Sequence, residues 1–431
     1  MPPDVWRRLG EEFGRRGWLA PSVDADAFVQ CRTYAQKVCP DRPYELLCPA
    51  ILTVAAPQAE AVETSLAAEV VPLDRHGPGW SYGYHRLGPV IRAFAVWAWS
   101  LPLATGGRVA GLMRDGGLLA DALDAVRPGQ RIAKPWLSRR LCLAGAIRSG
   151  TDREAILTLL VRARGQPAAV AEALADLGLT EENPPAGLIA TDRLSGPALS
   201  ALLDWLGHPP LSGQVARHCR TVRRRILGHL DRLELLDADR LLLVDVGYAG
   251  SIQRGLAAIL RLEGRTVPLA GAYMLTTPGL LWALREGGGD AAGFLAHLGA
   301  PDWVAACFLP CREVFESFCA TSSGPLRGYD QDGRPLMDPS PLPAEQLEQV
   351  GRIQAGALAR CAGDAATLDR DQARRALVRL LDHPEPAEVA MIGPWLYDDG
   401  LALGHPRRLT ESRPGHPRPL LWPQGAAALE G

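Results

Sequence analysis

Apolar positions along the chain follow two rhythms, and their order sets the first expectation of fold. Four apolar residues run without a break from Leu241 to Val244, the pattern of a central strand covered on both faces in a parallel sheet. The run closes on Asp245, a helical pattern follows from Ser251 to Glu263, and a second strand-like run occupies 267–275. Upstream the same order appears: a strand at 108–113, a turn at Arg114-Asp115-Gly116, a helix at 117–126, and a strand at 131–137 ending in Ser138-Arg139-Arg140. This is βαβ grammar. It predicts an α/β fold with a doubly wound, mainly parallel sheet.

Between the two βαβ stretches, residues 151–235 switch to helical periodicity (REAILTLLVRA, AAVAEALADLG, GPALSALLDWLG, VRRRILGHLDRLELL). That is too long for a simple crossover and predicts a helical insertion. The stretch HGPGWSYGYHRLGP reads as a loop rich in Gly and aromatics, leading at Pro89 into the helix VIRAFAVWAWSLPLA, since proline suits a first helical turn. The division that follows is an accessory segment over 1–85, an α/β core over 86–335 and a tail over 336–431. The accessory segment has breaks at Pro40, Pro43, Pro49 and Pro57 and short helical patterns near 58–69. In the tail, helices are expected near 343–362 and 370–382, then a Pro-dense, extended terminus.

Composition narrows the class. With 431 residues, 47% of them hydrophobic, the chain can bury one large core or two. A formal net charge of -2 supplies no basic face for nucleic acid. The N-terminal MPPDVWRRLGEEFGRRG has no apolar signal core, and no stretch reaches the roughly 18 apolar residues a bilayer span needs. A cytoplasmic protein with at most peripheral membrane contact is expected. The nine cysteines read as reduced thiols. Cys307, Cys311 and Cys319 lack a C-x-x-C pair or nearby histidines, which favours apolar packing over zinc. Arg220, Arg223, Arg224 and Arg225 form either a solvated basic helix face or a contact for acidic lipid headgroups or a lipid-linked acceptor.

Candidate chemistry lies at strand ends, because ligands of open parallel sheets bind beyond the carboxyl ends of the strands. Gly247 and Gly250 flank a turn that opens a helix. Free amides and the positive end of the helix dipole suit such a turn to a phosphate. Ser251 either adds a hydroxyl donor or serves as an N-cap. Tyr248 and Gln253 either line the pocket or pack. Arg114-Asp115-Gly116 and Ser138-Arg139-Arg140 bring cations to the neighbouring ends, and arginine binds phosphate oxygens through parallel N–H donors. Together these turns predict a site for a substrate with more than one phosphate. The chain has no G-x-x-x-x-G-K-S/T, no G-x-G-x-x-G after a strand, no G-x-S-x-G elbow, since Gly79–Gly83 follows no strand-like run, and no D-x-D-x-T/V, which disfavours P-loop NTPases, dinucleotide dehydrogenases, serine hydrolases and haloacid dehalogenase-type phosphatases.

The segment LLLVDVGYAGSIQRGLAAILRLEGRTVPLAGAYML resembles the strand, loop, helix and strand around the phosphoribosyl pyrophosphate (PRPP) loop of type I phosphoribosyltransferases. Asp245 matches the second acidic position of that loop, Gly250 its glycine and Ser251 a nearby hydroxyl; Val244 stands where the first acidic residue is usual and Ala249 where a Thr is. RVAGLMRDGGLLADALDAV resembles the family's first strand and pyrophosphate turn, and KPWLSRR the next strand with its basic loop. The set GPVIRAFAVWAW, LMRDGGLLADAL, LSRR, DVGYAGSIQ and ESFCATSSGPLRGY, spanning about 88–330, is similar to a group of bacterial polysaccharide-biosynthesis proteins. Those proteins are often described as haloacid dehalogenase-type hydrolases, because a phosphatase domain commonly precedes this region.

The resemblance implies transfer of a 5-phosphoribofuranosyl group from PRPP to a glycan or lipid-linked oligosaccharide acceptor, with pyrophosphate leaving and a separate phosphatase and other glycosyltransferases acting alongside. It implies Mg²⁺, held by Asp115 and Asp245, and arginine to neutralise the leaving group. On it, Arg114, Asp115, Gly116, Ser138, Arg139 and Arg140 face pyrophosphate, and Asp245 holds the ribose. Gly247, Tyr248, Ala249, Gly250 and Ser251 wrap the 5-phosphate, with Gln253 beside them. Glu316 is the candidate general base for the acceptor hydroxyl, its alternative being a helix-surface carboxylate. Alternatives to the transferase are a phosphatase and a catalytically degenerate scaffold for a glycosyltransferase.

Overall fold

The computed structural model describes residues 77–430 except 103–105, 161–166, 181, 364–365, 399–405 and 413–419, and before them residues 7, 10–11, 13–14, 19–20 and 23–38. Of the first 85 residues it describes a helix at Ala25–Val38; the helical patterns near 58–69 lie outside the described residues. The central sheet has five parallel strands, β1 (Arg108–Gly111), β2 (Ile132–Ala133), β3 (Leu241–Tyr248), β4 (Leu269–Thr276) and β5 (Asp290–Ala296), in the order β2-β1-β3-β4-β5. The helices that bear on it are α1 (Gly88–Ser100), α2 (Gly117–Val126), α3 (Arg139–Ala146), α4 (Pro209–Arg232), α5 (Ser251–Leu262), α6 (Arg312–Phe318), α7 (Ala344–Ala362) and α8 (Arg370–Asp382). The protein is an α/β fold, as its apolar rhythm predicts.

The apolar run of β3 explains why helices cover both faces. Alternate side chains of a strand point to opposite faces. Leu242, Val244 and Val246 enter one core with residues of α1, α2, α6, α7 and α8. Leu241 and Leu243 enter another with residues of α3, α4 and α5. Each such side chain, fully buried, contributes about 1.5–3 kcal/mol, so the two-faced run holds the strand at the centre of the sheet. A third apolar cluster joins Leu143 and Ile147 to Ile156, Val170, Leu202 and Val215. It fills the space among α4 and the helices Arg153–Leu160, Val170–Asp176 and Gly196–Leu206.

Three local expectations are corrected. The stretch 76–89, read as a loop, is helical from Pro78, with a wide turn at Gly83–Leu87 running into α1. Its glycines serve close helix packing: a Cβ on Gly83 would stand 1.9 Å from the Ile353 carbonyl oxygen, and one on Gly356 2.0 Å from that of Trp80. The strand expected at 131–137 is regular only at Ile132–Ala133. Pro135 has no N–H to give a ladder, although its carbonyl accepts from Met113 at 3.0 Å. The tail helices form as expected, but the described part of the terminus is not an extended arm. It contains helices at Pro386–Ile392 and Pro423–Glu430 and a short pairing of Leu396–Tyr397 with Arg407–Arg408. Trp395 and Trp422 are buried, their indole N–H groups donating to Gln349 Oε1 at 2.7 Å and the Leu381 carbonyl at 2.8 Å. Burial of large aromatic area outweighs the local preference of prolines for extended chain.

The arginine run of α4 is also split by the fold. Arg220, Arg224 and Arg225 are exposed, while Arg223 is buried against Glu263 at 2.7 Å and the Gly145 carbonyl at 2.7 Å. Among the described residues, no helix is long and apolar enough to cross a membrane.

Candidate functional site

The strand order places a topological switch between β1 and β3: the chain leaves β1 toward β2 on one side and β3 toward β4 on the other. At such a point the connecting loops diverge and leave a crevice beyond the carboxyl ends. The turn after β1 is pressed against β3 there, since a Cβ on Gly116 would lie 2.5 Å from the Val244 carbonyl oxygen. Glycine is therefore required for contact between the two strand ends. Arg114 takes φ of 73°, a left-handed conformation uncommon for a side chain of its size. Its guanidinium donates to both carboxylate oxygens of Asp115, at 3.0 and 3.3 Å. The Asp115 carboxylate strengthens the hold of Arg114 on its proton, against the opposing effect of burial.

Asp245, the first residue of β3 that is only half-buried, lies close enough to this pair to feel both charges. Burial raises its pKa well above the ordinary carboxylate value, and the negative charge of Asp115 adds to the rise. The Val246 N–H, donating at 2.8 Å, and Arg114 oppose it. Glu316 comes to the same place from α6. It is 8% exposed, not the helix-surface carboxylate its sequence context allows. Tyr248 donates to Glu316 Oε1 at 2.6 Å and Tyr397 to Oε2 at 2.5 Å. Burial and then Asp115 raise the pKa of Glu316, while the two tyrosine hydroxyls and Arg312 work against the rise. Arg312 lies 5.3 Å from the centre of the Tyr248 ring, a cation–π contact that fixes the ring. A cavity of about 40 Å³ opens among Arg114, Asp115, Glu316, Thr321, Ser323 and Tyr397.

The structure thus gathers Arg114, Asp115, Gly116, Asp245, Tyr248 and Glu316. It treats the rest of the 245–251 turn differently. Gly247 has φ of 130°, and a Cβ on it would meet the Leu275 carbonyl oxygen at 2.0 Å. Gly250 has φ of 64°, and its Cβ would lie 2.8 Å from Leu280. Ala249 is approached by Gly279, whose Cβ would stand 3.1 Å from it. Contact with β4 and the segment after it therefore accounts for these small residues without any ligand. Gly250, not Ser251, is the N-cap of α5, and Ser251 is the first helical residue. Gln253 packs: fully buried, it donates to the carbonyls of Gly288 at 2.5 Å and Asp290 at 2.9 Å, and accepts from Tyr273 at 2.7 Å.

Ser138 and the two arginines after it are also reassigned. Ser138 caps α3, accepting from the Leu141 N–H at 3.2 Å, and Arg139 is the first residue of that helix. Arg140 turns to Asp176 at 3.2 Å and to the Leu326 and Arg327 carbonyls at 3.4 and 3.1 Å. Asp176 is 5% exposed, and a carboxylate that deep needs a cationic partner. The structure therefore does not bring Arg140 to the 245–251 turn as the sequence reading expects.

One group of the site, Tyr397, escaped sequence reasoning. Tyr397 lies 81 positions from Glu316, in a stretch that reads as extended terminus. Cys319 is buried beside the carboxylates, and burial followed by the charge of Asp115 pushes its thiol well above the ordinary cysteine value, so it is a packing residue and not a nucleophile. The i, i+4 spacing of Arg312 and Glu316 on one helix face was the one local signal available. Among the described residues no group of three or more His, Cys, Asp or Glu is gathered to hold a metal ion. No family model matches the chain, and no curated protein matches it.

Proposed function

We propose that the chain is a PRPP-dependent phosphoribosyltransferase that transfers a 5-phosphoribofuranosyl group to a hydroxyl of a glycan acceptor, a lipid-linked polysaccharide among the candidates. The observation that carries the reading is the meeting of Arg114 and Asp115, from the end of β1, with Asp245, from the end of β3, at the switch point of the sheet. The donor set suits Mg²⁺, which is commonly held by one or two carboxylates together with substrate phosphates. Asp115 and Asp245 repel one another, and a bound cation would relieve that repulsion. Bound there, Mg²⁺ supplies charge neutralisation for pyrophosphate.

In this reading Asp245 orients the ribose hydroxyls and Arg114 stabilises the negative charge that develops on pyrophosphate as the bond from C1 to its oxygen breaks. The acceptor oxygen bonds to C1, and its proton passes to Glu316. A carboxyl whose pKa is raised by burial is a better base for a hydroxyl than an ordinary one. Tyr248 and Tyr397 hold both Glu316 oxygens and orient the group, and one of these hydroxyls gives way to the acceptor. The cavity of about 40 Å³ has room for a water or a cation, so admission of the sugar requires the wall that carries Tyr397 to move outward. Arg140, engaged with Asp176, has no part in this scheme.

PRPP at about 1 mM with Mg²⁺ should raise the Tm, and Asp245→Asn should abolish that rise; ribose 5-phosphate and pyrophosphate given singly should shift it less. A Tm unmoved by PRPP would overturn the proposal. Release of inorganic phosphate from sugar phosphates, lost in Asp115→Asn, would replace it with a phosphoesterase.

A further inference from the structure

A cavity of about 290 Å³ lies at the opposite end of the sheet from the candidate site, where β3, β4 and β5 begin. Its polar lining comes from three arginines and one carboxylate: Arg240 from the lead into β3, Arg261 from the last turn of α5, Arg265 from the turn after it, and Asp290 from the start of β5. Arg261 is tied to the Glu286 carbonyl at 2.9 Å. Arg240 and Arg265 make no side-chain hydrogen bond or ion pair among the described residues. Arg240 is half-buried and Arg261 and Arg265 are exposed, and an anion in the concave space that all three line is attracted to each of them. Leu260, Val267 and Leu269 line the same cavity. A bare anion has no use for such apolar walls, whereas concave sites for organic ligands are largely apolar with a few convergent polar groups.

We propose that this cavity binds a hydroxyl-bearing organic phosphate monoester, with the phosphate on Arg240 and Arg265, the body against the apolar wall and a hydroxyl donating to Asp290. Guanidinium forks match phosphate oxygens, and an ionised carboxylate only accepts hydrogen bonds, so it selects a hydroxyl and repels a second anion. The site is separate from the one containing Asp245: β4 runs eight residues between the two ends of the sheet, which is roughly 25 Å.

The test uses the full chain, with thermal shift and equilibrium dialysis against AMP, ribose 5-phosphate and inorganic phosphate. Saturable binding of AMP or ribose 5-phosphate, well above that of inorganic phosphate, is expected, and the stronger of the two esters identifies a nucleotide or a sugar-phosphate source. The double variant Arg240→Ala, Arg265→Ala should lose about a hundredfold in affinity. Its Tm without ligand should stay near that of the parent chain, because neither side chain has a partner to lose. Asp245→Asn should keep the binding, which separates this site from the proposed transferase site. Absence of saturable binding up to about 10 mM ester, equal binding of inorganic phosphate, or binding that survives in the double variant would overturn the proposal.

Discussion

Asp245 follows the four-residue apolar run of β3 and has another carboxylate, Asp115, for a neighbour, so its charge is held at a cost to the fold. Its pKa is raised in the folded state, first by burial and then by Asp115. The folded chain therefore binds this proton more tightly than the unfolded chain does. The stability associated with Asp245 is complete below the unfolded value of about 3.9 and is lost as pH rises through the folded value. Asp245→Asn removes the charge while leaving an oxygen to accept from Val246. It should raise the Tm by about 2 °C or more near neutral pH, and the gain should shrink as pH falls toward about 4. Scanning calorimetry at several pH values checks this; a Tm gain that is the same at every pH would show that charge is not the cause. The local environment of Asp245 was readable from the sequence as an acidic residue closing a buried strand. The burial of Glu316 was not, because burial of a helix carboxylate depends on what other segments bring against it.

At the scale of elements, strands and helices with strong periodicity lie where their residues place them, α2 at Gly117–Val126 and β3 at Leu241–Tyr248 among them. The failures have a common cause. Glycines near residue 80 and prolines after residue 385 carry local signals for irregular chain, and both were overruled by contacts with distant helices. The end of the chain is a working part of the core: Trp422 is fully buried and donates to the carbonyl of Leu381 in α8, and the strand pair containing Tyr397 sits beside it in sequence. Trp422→Ala should cost about 3–5 kcal/mol, measured by urea denaturation. A loss below about 1 kcal/mol would mean that the terminus is only loosely docked.

Across the whole molecule, His229 of α4 ties three parts together. Its Nε2 accepts from the Trp136 N–H at 3.0 Å and its Nδ1 lies 2.9 Å from the Gly333 carbonyl oxygen, so the ring is neutral with its proton on Nδ1. Gly333 belongs to the turn between β6 (Ser323–Tyr329) and β7 (Pro335–Pro339), and Tyr329 of that hairpin donates to the Trp136 carbonyl at 2.5 Å. Burial lowers the pKa of His229. The unfolded chain then binds this proton more readily, so the stability it contributes is complete above about 6.5 and is lost as pH falls through the folded value. This window lies on the opposite side from the loss due to Asp245. His229→Asn should destabilise the protein and flatten the decline in unfolding free energy below about pH 6.5; an unchanged slope would exclude this histidine as the acid-sensitive link.

The sequence by itself determined the α/β class, the central strand and the acidic turn that closes it, because each depends on residues within about a dozen positions of one another and on periodicities that backbone geometry imposes. Tertiary structure alone decided that Arg140 serves Asp176, that Gln253 is buried, and that Tyr397 and Glu316 meet 81 positions apart. Those outcomes follow from which polar groups lose water together when the layers close. A buried charge or amide takes whichever partner the packing brings within reach, and no local pattern encodes that choice.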